Sequence, residues 1–327
     1  MLTVNSLKKS CFCFCLILSL GAHSGTVSLN MSGLEDLGPN ARYEGWLMVS
    51  GSPVSTGVFS VDGSGVLSQT VFNVSDSDAE DASTFILTIE PFPDIDPSPA
   101  NSHLLAGDIN AGLADINVGH PAAIGDDLTA SIGRFVLTVP TAGKGADSFD
   151  NGIWFVESAF PIATATAGLN LPTLPVGWVY EGWVVDESVS LPISIGTFSD
   201  ENSVDSDGAG PTAGLDESPY LVPGQDFVVP PRNLSINHTA VISVEPVPDN
   251  SSAPFTLMPL QLSIGSTANS QLMNNNALAT NPFGQVSVSG GGQPANVESV
   301  PTTGYFATFL LFFLSMLLGY KALVKKA

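Results

Sequence analysis

Cysteine is almost missing from this chain, and where it occurs it contributes nothing to the body. Cys11, Cys13 and Cys15 all fall in one apolar N-terminal stretch. Once that stretch is removed as a secretory leader, no thiol remains. Disulfides and thiolate metal sites are then excluded, and stability must come from a buried core. Each cysteine follows Ser or Phe rather than the small residue that closes a lipoprotein leader, which argues against lipidation.

Basic residues are nearly as scarce. Nine Lys and Arg stand against 31 Asp and Glu. Five of the nine (Lys8, Lys9, Lys321, Lys325, Lys326) lie in the terminal segments, leaving Arg42, Arg134, Lys144 and Arg232 to face every acid in the chain. Nucleic-acid binding is excluded, because a phosphate backbone needs a basic surface. Anionic headgroups are disfavoured for the same reason. The catalytic signatures are missing too: no Gly-x-Ser-x-Gly elbow, no phosphate loop ending in lysine, no His-Glu-x-x-His. His103, His120 and His238 stand apart, so no zinc set is visible. His120, close to Asp126 and Asp127 in "GHPAAIGDD", is the best catalytic candidate, though a turn histidine beside proline is the commoner meaning.

Two apolar stretches are present. Lys8, Lys9 and "CFCFCLILSL" followed by "AHS" read as a signal peptide over residues 1–24. An apolar core of about ten residues is short of the roughly 20 that span a bilayer. At the other end, "YFATFLLFFLSMLLGY" (Tyr305–Tyr320) covers roughly 24 Å as a helix, and Lys321 can snorkel to the headgroups. Three lysines behind it favour a cytoplasmic end and an outward-facing body. Residues 301–327 thus read as a transmembrane helix, and the protein as exported and membrane-anchored, with its body in the periplasm or on the cell surface.

Between these ends the chain reads as all-β. Short runs of β-branched and aromatic residues alternate with Gly, Pro, Asn, Asp and Ser clusters. One phrase occurs twice. Tyr43-Glu-Gly-Trp46, Gly57-Val-Phe59 and Glu90-Pro91 are answered by Tyr180-Glu-Gly-Trp183, Gly196-Thr-Phe198 and Glu245-Pro246. Order and type match, and the second copy is longer chiefly through an acidic insertion at 199–220, as insertions in loops cost no ladder bonds. The expected organisation is two related β-sandwich-like units, separate or merged: 25–165 with extra strands, then 166–268. The polar, low-complexity stretch 269–300 reads as a flexible tether. "GDINAGLADINVGHPAAIGDDLTASIGRFVLTVP", between the copies, has no obvious counterpart after the second.

Strand alternation puts Tyr43, Leu47 and Val49 on one face and Glu44, Trp46 and Met48 on the other. Gly45, between Glu and Trp, implies close approach of a ring or backbone. The phrase reads first as core and turn. Should it carry a ligand site, Trp46, Trp183, Glu44 and Glu181 are the candidates. Calcium is the one cofactor considered: Asp200, Asp205 and Asp207 in the insertion offer carboxylates, although the EF-hand template is not met.

The paired phrases resemble the extracytoplasmic domain of anti-sigma-K-type factors. The matches are Tyr43–Trp46, "PVSTGVF" (Pro53–Phe59), "LTIEP" (Leu87–Pro91) and "PSPANSHLLAG" (Pro97–Gly107). The second copy keeps Tyr180–Trp183, "GTF" and "ISVEP", but lacks "PVS" and has "APFTLMPLQLSI" for the "LLAG" ending. The resemblance implies an extracytoplasmic β domain. A sigma-factor role would need a cytoplasmic domain, for which the short expected inner segments leave no room. "VPTTGYFATFLLFF…KALVKK" is similar to bacterial C-terminal sorting signals. The expected function is non-enzymatic binding, sensing or surface architecture toward a protein or cell-surface partner. The alternatives are anti-sigma-like signalling through a membrane partner, or an enzyme on a β scaffold.

Overall fold

The computed structural model describes residues 24–140, 149–158, 165–210, 221–226, 232–249, 251–267 and 269–290. Residues 1–23 of the expected leader, with its cysteines, and the apolar segment 301–327 lie outside the described residues, while Ser24 opens the first strand. Within them no helix is long and apolar enough to cross a membrane.

The described chain is nearly all strand. The first half runs β1 (Ser24–Ser32), β2 (Ala41–Val49), β3 (Ser52–Phe59), β4 (Val71–Ser75), a short helix α1 (Asp76–Asp81), β5 (Ala82–Pro91), β6 (His103–Asp108) and β7 (Leu113–Asn117). After β8 (Ile132–Leu137) and β9 (Ile153–Trp154) the second half gives β10 (Leu169–Asn170), β11 (Trp178–Asp186), β12 (Leu191–Phe198), β13 (Gly224–Gln225), β14 (His238–Pro246) and β15 (Leu260–Ser263). β16 (Gln271–Leu272), β17 (Asn274–Asn275), α2 (Ala277–Thr280) and β18 (Phe283–Ser289) follow.

The sequence repeat is a repeat of sheet order. One sheet contains β3-β2-β5-β6-β7 and another β12-β11-β14-β15-β17, antiparallel throughout. Local irregularities recur as well. The first hairpin slips register after Gly45 and the second after Gly182. Gly57 and Gly196 both take positive φ, at 125° and 119°. Tyr43 stacks on Phe59 at 5.5 Å between centroids, and Tyr180 on Phe198 at 5.6 Å.

Strand pairing crosses two of the expected boundaries, because the copies exchange strands. β8 follows the first copy but lies in the second half, between β10 and β16. β18 follows the second copy but lies in the first sheet, between β7 and β1, giving eight strands in the order β3-β2-β5-β6-β7-β18-β1-β4. The division at 165/166 is therefore crossed by pairing. The expected tether at 269–300 instead supplies β16, β17, α2 and β18 up to residue 289; residues 291–300 lie outside the described residues. β18 is also the counterpart that seemed missing. "IGRFVL" and "FGQVSV" share Gly133 and Gly284 and the same run of exposed, buried, intermediate, then three buried positions. The connections leading into the exchanged strands are tied together: Asn275 Nδ2 donates to Leu128 O and Ser131 O, both at 2.9 Å, and Asn281 Nδ2 to Asp127 O at 2.8 Å.

The eight-stranded sheet curls until its edges approach: the Phe59 and Phe72 rings of β3 and β4 are 6.1 Å apart. Its inner face carries Val27, Tyr43, Leu47, Phe85, Val286 and Val288. In the second half, β10-β8-β9-β13 packs across from β12-β11-β14-β15-β17, with the Phe155 ring against Gly182 and Leu260 against Gly133, in one cluster with Phe135, Tyr180 and Val184. One apolar cluster runs through both halves. At ~1.5–3 kcal/mol per fully buried large apolar side chain, this is the source of stability among the described residues, which hold no cysteine.

Candidate functional site

Trp46 and Trp183 are each 2% exposed. Trp46 packs on Ile86, Ala106 and Ala123, so the face opposite the main core is covered by the 118–124 turn. Each indole feeds a polar chain of the same kind in its own copy. Trp46 Nε1 donates to Thr88 Oγ1 at 2.9 Å, Thr88 donates to Glu90 Oε1, and that oxygen also accepts the Ala100 N–H at 2.9 Å. In the second copy Trp183 Nε1 donates to Ser243 Oγ at 2.8 Å, Ser243 to Glu245 Oε1, and Phe255 N–H to the same oxygen at 2.9 Å. Glu44 accepts from Ser55, and Glu181 from Ser194. The four candidate residues thus hold hairpins and loops together: both indole N–H groups and one oxygen of each glutamate are committed internally, while Glu181 Oε2 is buried without a partner. Burial raises the carboxyl pKa of Glu44 and of Glu181 against those serine bonds.

Asp200, Asp205 and Asp207 do not form one cage. Asp200 is turned to its own loop, accepting Asn202 N–H at 2.9 Å. Asp205 is buried; its Oδ2 accepts Gly224 N–H at 2.8 Å, which anchors the insertion to β13. Asp207 sits beside it, and burial pushes Asp205 up to about 8 and Asp207 upward. Among the described residues, no three His, Cys, Asp or Glu side chains gather closely enough to hold a metal ion. His120 and Asp127 do not meet either. His120 Nδ1 accepts Ala122 N–H at 3.1 Å, and its Nε2 lies 3.5 Å from Asp108, while Asp127 caps Thr129.

What the sequence did not indicate is the seam between the copies. The segment between β1 and β2 faces the loop after β14 across a cleft of about 290 Å³. Glu35 joins the two sides: its Oε2 accepts Thr256 N–H at 2.7 Å, and Thr256 Oγ1 donates to Gly33 O at 3.1 Å. Tyr43 OH donates to the Glu35 carbonyl at 3.1 Å. Asp36, Glu245 and Asp249 line the same cleft. Burial pushes Glu35 up to about 7, with the Asp249 and Asp36 charges adding to it. Glu245 is pushed up to about 8 by burial, against its bonds from Ser243 and Phe255. Its second oxygen, Oε2, is buried with no hydrogen-bond partner. Glu35 carries no local signal, since its partner Thr256 is 221 residues away. Another hollow, of about 380 Å³, lies beside Arg42, whose guanidinium sits 4.4 Å over the Phe92 ring. Comparison with protein-family models, curated proteins and solved structures finds no match to this chain.

Proposed function

We propose that this protein is a non-enzymatic, envelope-anchored module that displays a duplicated β-sandwich body outside the membrane for binding or surface architecture. The observation that carries this reading is where the two ends of the body emerge. β1 and β18 are antiparallel neighbours, with Thr26 opposite Ser289. The leader junction and the segment leading to the apolar tail therefore leave from the same end. The strand joined to the tail is internal to a sheet, bonded on one side to β1 and on the other to β7. Tension on the tail would load both ladders along the strand, so many hydrogen bonds share the force instead of opening one by one. The acidic body suits a solvated, outward position. The resemblance to anti-sigma-K-type extracytoplasmic domains supports an outward sensing role as an extension of the same reading.

Fractionation of cells making the full chain, or a chain ending before Val300, tests the proposal. The full chain is expected in the envelope pellet and the shortened one, which keeps β18, in the periplasm or medium. Cytosolic accumulation of both would overturn it.

A further inference from the structure

The seam cleft has features that the display role does not use. It is lined by four carboxylates, Glu35, Asp36, Glu245 and Asp249, and, among the described residues, by no Lys, Arg or His. The Glu245 side chain is fully buried, yet one of its oxygens is orphaned. A buried, unpartnered carboxylate oxygen is costly, and a donor arriving from the cleft would relieve that cost. The first copy provides an internal comparison. Glu90 occupies the equivalent place in the same Trp-hydroxyl-Glu chain, but neither of its oxygens is both fully buried and unpartnered, and it does not line this cleft. The orphan at Glu245 is therefore not a requirement of the repeated motif.

We propose that this cleft binds a cationic side chain of a partner polypeptide, a guanidinium or primary ammonium group, with Glu245 and Glu35 as its main acceptors. Leu37 and Phe255 line the same space and suit the methylene stem of such a side chain. A metal ion fits less well, since no three carboxylates here stand within reach of one small ion. A guanidinium spreads five N–H donors over a wider plane and matches dispersed carboxylates. Glu35 is faced by Asp36, Asp249 and Tyr43, and Glu245 by Ser243, Asp249 and Glu181. Burial keeps both acceptors partly protonated near neutral pH, and a bound cation favours their ionised forms. Affinity therefore rises between pH 6 and 8.5.

The inference is independent of how the body is anchored, because the test reads the cleft alone. The full chain in detergent is titrated calorimetrically with arginine amide, citrulline amide as the uncharged isostere, and calcium chloride. Saturable binding of arginine amide, absent for citrulline amide, is expected. Glu245→Gln and Glu35→Gln should each weaken it about tenfold, the loss of one charge-assisted contact. Glu90→Gln should leave it unchanged. Circular dichroism checks each fold, and Asp249→Asn replaces any variant that fails. Non-saturating heats, equal binding of citrulline amide, or unchanged affinity in folded Glu245→Gln would overturn the proposal. So would saturable calcium binding without arginine amide binding, which would assign the cleft to a metal.

Discussion

Gly45 and Gly182 occupy the same place in the two copies but under different constraint. A Cβ on Gly45 would lie 2.5 Å from Thr56 Oγ1 and 2.9 Å from the Phe85 ring, whereas on Gly182 the nearest atom, of the Phe155 ring, is 3.2 Å away. Gly45→Ala is expected to cost about 1–3 kcal/mol as overpacking, and Gly182→Ala clearly less. Urea midpoints of the two variants check this, and equal losses would contradict the clash. That a glycine between Glu and Trp admits a ring was legible, because strand alternation places it on the face of Tyr43 and Leu47. Which ring enters was not. Phe85 comes from the neighbouring strand β5, and Phe155 from a sheet on the far side of the core. The tryptophans teach a related lesson: their conspicuous repetition reflects a buried hydrogen-bond chain that each copy must satisfy.

Among the elements, β18 was the hardest to foresee. It sits in a run of Asn, Ser, Gly and Gln, and only Val286 and Val288 give it an apolar face. Composition alone points to disorder; the partners β1 and β7, distant in sequence, make it a strand. The available signal was the match of Gly284–Val288 to Gly133–Leu137, visible only if one strand of each copy is expected to be lent to the other. A chain ending at residue 281 would open the first sheet between β7 and β1. Two buried valines at ~1.5–3 kcal/mol each, with the ladders, are a large share of a typical 5–15 kcal/mol stability. That chain should lose its cooperative urea transition and become protease-sensitive within β1, while a chain ending at residue 290 behaves as the full body does. Indistinguishable unfolding of the two would rule out a structural role for the exchange.

For the molecule as a whole, buried carboxylates set the response to pH. Glu245 and Asp205 are held up to about 8 and Glu35 up to about 7, all by burial. In the unfolded chain these groups titrate near 4, so between roughly pH 4.5 and 8 the folded state holds more protons. Stability is therefore greatest toward the acidic side of that window and falls as pH rises through it. Asp127 and Asp186 are shifted downward, chiefly by hydrogen bonds from Thr129 and Ser188. Their contribution is lost only at more acidic pH. Melting temperature should decline from about pH 5 to 8.5, and Glu245→Gln, which removes one titration, should flatten the decline. A melting temperature that rises over that range would refute the assignment.

By itself the sequence determined a thiol-free, acidic, all-β body with an internal duplication, because composition and strand alternation are local properties. It also marked the paired tyrosines, glycines and tryptophans as scaffold, since each is specified by its immediate neighbours along a strand. Only the tertiary structure decided that the copies lend each other a strand and meet at an acidic seam. Those features depend on contacts between residues more than a hundred positions apart, where no periodicity reaches.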